Sequence, residues 1–561
     1  MPSIKHHSIE NPASFIQSIY EYQKSIEPNQ RDAASKTISA IQSEYKVVFQ
    51  DAINRDQVSD FETLDIDEIK PGTLVRFQCM IQDPNFSREM QLYALELQKD
   101  QIPEKIVKFI LYTDNKHGSS EGWSIVNDSY PNFVIDTEAM YCVSIPGRSS
   151  WLKQDNIESA HKSTKLSNLQ TFSKLRYPMP NTNHNFAIAK FYDESPAYKV
   201  AQPVELFGIF NWDQCCIEEK SDYTWPVIHV LHSRPLDTLY PSPSLEISQD
   251  NTSQREECLR YIQSAFGGDI LVATYILLLL ISMSTQSNSK AGRISVGISG
   301  IPHLHPTGPS NDSLAPIIPR PCDLKSHNHT IQSILSTLES FVPAMVSIPL
   351  SLKLLNESSW NPNAENVSGL NSGILQLCSN TLVVIDESTL DEGTLTERGL
   401  RNFNSIQKMV QDQTLTYSYP FQQIEIDNYL KVLVLSCGKP LIKTDIEVPL
   451  EKESSERMKG EVKPEIDNTK IESIRLFLTA VPSLQFSIPT LVSNEISEHY
   501  ANSRKLAYEK GQSLPSQTEL ASCLTIARLL SLSKMQTSLS LETWNEAIKL
   551  ENERKSRIQN R

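Results

Sequence analysis

Leu382-Val383-Val384-Ile385-Asp386-Glu387 is an apolar run closed by two acids, and its reading decides the second half of the fold. Four apolar residues in succession suit a strand buried on both faces, the kind a parallel sheet makes when helices cover it. Acids at the carboxyl edge of such a strand stand where a P-loop ATPase holds hydrated Mg²⁺ and orients the attacking water. They need a phosphate to act on. The cradle for that phosphate is G-x-x-x-x-G-K-[ST], because glycines let backbone N–H groups approach the oxygens and the lysine meets the β and γ charges. None of the 18 glycines belongs to such a string. The Gly438-Lys439 dipeptide is followed by Pro440 and has Leu433 where the first glycine is required. The sequence therefore argues against ATP hydrolysis.

Outward from this strand, apolar runs alternate with helical windows. Residues 270–283 read as a buried helix, too short to span a bilayer, and residues 294–299 and 432–435 as further strands. Residues 414–419 and 422–427 read as a hairpin around Pro420. Near-continuous apolar strands alternating with helices predict a parallel sheet covered on both faces, here placed at 257–450. Upstream, Pro71-Gly72 opens Leu74-Val75-Arg76-Phe77-Gln78-Cys79-Met80-Ile81, and further β-rich stretches follow near 92–97, 106–112, 141–145, 204–210 and 227–231. Many short strands separated by turn residues predict a small barrel at 61–235. A Ser-, Asn-, Lys- and Thr-rich stretch at about 153–184 reads as an inserted loop. Residues 1–60 carry helical spacing after Asn11-Pro12. A Pro- and Ser-rich linker at 236–256 divides the halves. A charged linker at 451–470 precedes a helical region at 471–561, with Leu520, Leu524, Ala527 and Leu530 and then Trp544, Ala547 and Ile548 at helical spacing.

At 561 residues the chain is too long for one core. Its formal charge of −15 opposes attraction to a phosphate backbone, so direct nucleic-acid binding is not expected. The nine cysteines show no C-x-x-C pairing, which suggests a reducing compartment, and the N-terminus has no apolar signal-peptide core. The expected location is the nucleus or cytoplasm, with no membrane partner.

Several long stretches resemble the eukaryotic MCM complex-binding protein family. They are residues 71–83, Tyr141-Cys142-Val143-Ser144-Ile145-Pro146-Gly147, Gly369-Leu370-Asn371-Ser372-Gly373-Ile374-Leu375-Gln376-Leu377, residues 381–387 and Ala527-Arg528-Leu529-Leu530-Ser531-Leu532-Ser533. The resemblance itself extends over most of the chain, from about residue 10 to the end. The resemblance implies a multidomain fold, an OB-like β-barrel N-terminal half and a degenerate AAA+-like α/β C-terminal half with a helical lid. It places Asp386 and Glu387 at the Walker B position as vestigial acids. The strand at 294–299 stands where the phosphate loop would begin, yet Gly300-Ile301-Pro302-His303-Leu304-His305-Pro306 follows it, and no lysine occurs again before Lys325. Ser436-Cys437 stands where a sensor asparagine is usual, and the hairpin has no Lys or Arg from Met409 to Leu430.

Two sharper readings of other residues are weaker than bland ones. His303, His305, Cys322, His327 and His329 include two H-x-H pairs, and such a pair can give zinc two of its four ligands from one extended strand. Their Pro-rich surroundings read as an exposed loop, so no metal site is expected. Phe77, Tyr93, Tyr141, Phe207 and Phe210 are candidates for stacking single-stranded bases, but they fall at core-like positions within β runs. No catalytic residue and no cofactor is expected. The resemblance implies a non-enzymatic partner of MCM helicase subunits, reaching chromatin through them and supporting MCM assembly or unloading in DNA replication and sister chromatid cohesion. The alternatives are an OB-type single-stranded DNA-binding protein and a divergent AAA+ ATPase.

Overall fold

The structure is a computed structural model that describes residues 8–27, 30–99, 105–112, 123–125, 133–152, 170–179, 182–192, 196–214, 224–236, 239, 251–283, 292–302, 329–364, 369–390, 392–459, 468–509, 511 and 514–560. It is a mixed α/β protein with several sheets. Two helices, Pro12–Ile26 and Gln30–Val48, lead the chain, the first opened by Asn11, whose side chain accepts from Ser14 N. They pack on the β region through aromatic contacts, Phe49 on Phe207 of the first sheet at 4.2 Å and Tyr20 on Phe109 of a neighbouring ladder at 4.9 Å between centroids.

That sheet contains β1 (Ser59–Asp60), β2 (Leu74–Leu92), β6 (Val134–Ser144), β7 (Phe186–Tyr192), β8 (Pro203–Gln214) and β9 (Thr224–Pro235). The short strands β3 (Ala94–Lys99), β4 (Lys105–Phe109) and β5 (Trp123–Ile125) form a separate ladder beside it. Strand β2 is long enough to serve two partners, Leu74–Met80 against β8 and Cys79–Leu92 against β6, with its register shifting at Asp83. The pairings therefore run β2–β6–β7–β9–β8 and return to β2. Strand alternation divides the side chains between two cores. Val75, Phe77, Cys79, Ile81, Cys142, Ala187, Ala189 and Leu206 fill the inside of the circuit. Met80, Tyr141, Val143, Phe186, Ile188 and Val227 point outward into a core shared with the second half.

The second half is built on five parallel strands, β10 (Val296–Ser299), β11 (Met345–Pro349), β12 (Leu382–Asp386), β15 (Lys431–Ser436) and β16 (Ile446–Pro449), in the order β11-β12-β15-β10-β16. The hairpin β13 (Thr414–Tyr419) and β14 (Gln422–Asp427) stands apart from it. Both faces of the sheet are covered. Val296, Ile298, Leu382, Val384, Leu433 and Leu435 face the helices Ile270–Ile281, His329–Phe341 and Gln517–Ser533. Val346, Ile348, Val383, Ile385, Val432 and Val434 face the core shared with the first half. The helices Asn251–Ala265 and Ile270–Ile281 meet at 120° across Gly267 and Gly268, both at positive φ. A Cβ on Gly267 would fall 2.1 Å from the Ser454 carbonyl oxygen, so the corner admits no side chain. No single helix among the described residues is long and apolar enough to cross a membrane.

The halves are stitched together by polar contacts as well as by the shared core. Gln82 donates to the Leu370 carbonyl at 2.8 Å, Gln376 returns a bond to the Gln82 carbonyl at 2.9 Å, and Leu370 N donates to Asp83 at 3.0 Å. Met345 N donates to the Gly147 carbonyl at 2.8 Å, and the Arg475 guanidinium lies 3.6 Å from the ring centre of Trp151. Two segments differ from the sequence reading. Among the described residues of 153–184 the structure has a helix, Gln170–Leu175, followed by buried Arg176, Tyr177 and Met179, so this part is anchored by a few side chains. Within 451–470 it has the helix Lys452–Arg457, whose Ser454 is buried against Gly267.

Candidate functional site

The sheet order brings three strand ends, Ser299, Asp386 and Ser436, to one carboxyl edge. In open parallel sheets this edge is where ligands bind, at the strand from which the chain reverses its winding direction. Here that strand is β10, flanked by β15 and β16.

The protein's own backbone occupies the groups at this edge. Asp386 is fully buried and accepts from Ser388 N at 2.9 Å, capping the turn that follows it. Glu387 reaches across to the loop after β15 and accepts from Leu441 N at 3.0 Å and Ile442 N at 2.8 Å. Burial raises the Glu387 carboxyl above its ordinary value, opposed by those two N–H groups and the Ser436 hydroxyl and reinforced by Asp386. Gly300 takes φ +89° and turns the chain back, so that Ile301 N donates to the Ser436 carbonyl at 3.1 Å and Ser455 donates to the Gly300 carbonyl at 3.0 Å. Ile301 and Pro302 are buried there.

No lysine stands in the phosphate position among these residues. Lys439 is exposed on the loop after β15. Lys431 begins β15 and is in register with Leu382, at the opposite edge from the acids. Its ammonium donates to the Leu280 carbonyl, and desolvation lowers its pKa to about 8. It closes the base of the sheet, one strand length from the acids.

His303, His305, Cys322 and His327 lie outside the described residues, as does the side chain of His329, which begins a helix. The five candidate stacking rings are all buried: Phe77, Tyr141, Phe207 and Phe210 at 0% exposure and Tyr93 at 1%. Phe77 meets Phe61 edge-on at 4.8 Å and Tyr141 stacks on Phe186 at 5.6 Å. They present no face to a base.

Sequence reasoning missed what Gln82, Asp83 and Gln376 do across the interface. The C-terminal helices are tied to the second half by polar contacts. Asp269 caps the helix Ile270–Ile281 through Leu271 N and Val272 N, and its second oxygen accepts from Arg557 at 2.6 Å. Arg554 pairs with buried Glu551, which also accepts from the Tyr275 hydroxyl at 2.5 Å.

Fold and site thus define a class: a two-part α/β protein whose acids at the sheet edge serve its own backbone. The chain matches the family of the mini-chromosome maintenance replisome factor over residues 45–171 and 156–558. It is 22% identical to a Gallus gallus protein over 653 residues, covering 98% of this chain and 97% of the relative. It is 23% identical to a Homo sapiens protein over 602 residues, covering 88% and 89%, and 24% identical to an Arabidopsis thaliana protein over 591 residues, covering 92% of each. All three relatives carry the name mini-chromosome maintenance complex-binding protein. The chain belongs to the mini-chromosome maintenance replisome factor family, in agreement with the resemblance.

Proposed function

We propose that this chain is a non-enzymatic partner of the MCM helicase complex, working in the nucleus to support MCM assembly or unloading from chromatin, and through it replication and sister chromatid cohesion. The names of its relatives from animals and a plant support the partner. One observation carries the non-enzymatic part: Glu387, the acid that would polarise water, is spent on the N–H groups of Leu441 and Ile442. On this reading the first half, 61–235, is an OB-like barrel, supported by the circuit of pairings from β2 back to β2. The second half, 257–450, is a degenerate AAA+-like domain, supported by the all-parallel order β11-β12-β15-β10-β16, with 471–561 as its helical lid. A domain that keeps such a shape packs edge to edge with subunits of a ring while bringing no nucleotide to the shared boundary.

Affinity purification of the tagged chain from cell nuclei, followed by identification of co-eluting proteins, tests the reading. MCM subunits are the expected companions, with recovery independent of added ATP. Their absence overturns it.

A further inference from the structure

The helix Glu397–Asp412, the hairpin β13–β14 and the segment 359–364 enclose an open-sided groove of about 660 Å³, within the size range of ligand sites. Arg398, Arg401 and Ser405 recur at helical spacing on one wall, and Thr416, Ser418 and Gln423 line the other. The hairpin register explains that second wall. Ser418 pairs with Gln423, so the two share a face with Thr416, while alternate Leu415 and Tyr417 are buried in the core.

The lining carries two cations and, among the described residues, no carboxylate. This is the reverse of a chain whose net charge is −15. Two acids on the same helix and hairpin already have cationic partners. Glu425 is engaged by Lys408, and Glu397 meets Arg401 at 3.4 Å with both side chains more than two-thirds exposed, a geometry that holds little energy. Asn361, which also lines the groove, donates to Ser405 at 2.8 Å, and its carbonyl oxygen has no donor. At the rim, Phe421 at the hairpin tip is 100% exposed beside groove-lining Pro420.

We infer that this groove docks an extended acidic peptide segment of a partner protein. Its carboxylates pair with Arg398 and Arg401, its backbone bonds with the amides and hydroxyls of both walls, and one apolar side chain rests on Phe421. The chemistry favours peptide over nucleic acid, because the hairpin contributes no Lys or Arg and two cations neutralise too few phosphates for a strand on an acidic chain. The inference goes beyond the helicase-subunit reading and does not depend on it.

Fluorescence anisotropy with the full chain tests it, using three labelled probes: a dodecapeptide of alternating Glu and Ser, its Lys counterpart, and an oligo-dT of the same length. The Glu peptide is expected to bind saturably and to weaken with salt. R398A/R401A is expected to reduce its affinity about tenfold or more at an unchanged melting temperature, since both arginines are exposed. Glu397→Ala, which removes the acid beside Arg401, is expected to strengthen binding by about twofold. No saturable binding of the Glu peptide, equal affinity in the double variant, or tighter binding of the oligo-dT through the same arginines each overturns the inference.

Discussion

Glu387 separates two accounts of the same residue. As a water-activating acid it would be most sensitive to the amide substitution, which removes the base and keeps the shape. As a backbone clamp it responds in the opposite order. Glu387→Ala strands the Leu441 and Ile442 N–H groups, which urea unfolding should register as a loss of about 2 kcal/mol. Glu387→Gln keeps one carbonyl acceptor and removes the cost of burying charge, so its stability should stay within about 1 kcal/mol of the parent. Glu205 offers a second test at this scale. Burial alone raises its carboxyl, but the Gln78 amide and the Arg76 and Arg234 guanidiniums outweigh that and hold it below the ordinary 4.5. A carboxyl depressed in the folded state contributes stability above its unfolded pKa and loses it as pH falls through the folded value. Melting temperature should therefore drop as pH falls below 4.5, and Glu205→Gln should flatten that acid limb.

The hairpin and the missing strands show what can be read at the scale of an element. Its bounds, Thr414–Tyr419 and Gln422–Asp427, agree with the sequence reading because one face is buried and the other wet, which leaves a period of two along β13. The same asymmetry sets its energetics. Tyr417→Ala should cost about 3–5 kcal/mol, while Phe421→Ala should change stability by less than about 0.5 kcal/mol, both measured by chemical unfolding. Strands β7, β11 and β16 escaped the reading. All seven residues of β7 are buried, so no alternation marks Phe186–Tyr192, and the polar stretch before it suggested a loop. Met345–Pro349 and Ile446–Pro449 are short, fully or mostly buried and closed by proline, which leaves them indistinguishable from a turn or a helix start. Asp386 and Glu387 were legible as an acidic strand end. The Glu387 bonds to Leu441 and Ile442 were not, because 54 and 55 residues separate the partners.

At the scale of the whole molecule, the shared core and the Gln82–Leu370–Gln376 stitch join the halves. Gln82→Ala removes a buried donor to the Leu370 carbonyl and should cost about 2 kcal/mol. If the halves open together, hydrogen exchange in this variant should quicken both along β2 and across 369–378; quickening confined to one side would mean independent halves. No sequence pattern announces this joint, since its members lie nearly three hundred residues apart and each looks like an ordinary surface amide. The central claim is that a nucleotide-free sheet serves as a docking body for MCM subunits. The most direct measurement is light scattering on a sizing column, with the purified full chain mixed with purified MCM subunits in the absence of nucleotide. The account predicts a joint peak of summed mass that persists with Glu387→Gln and is unmoved by ATP. Separate peaks, or a joint peak that forms only when this chain binds ATP, would contradict it.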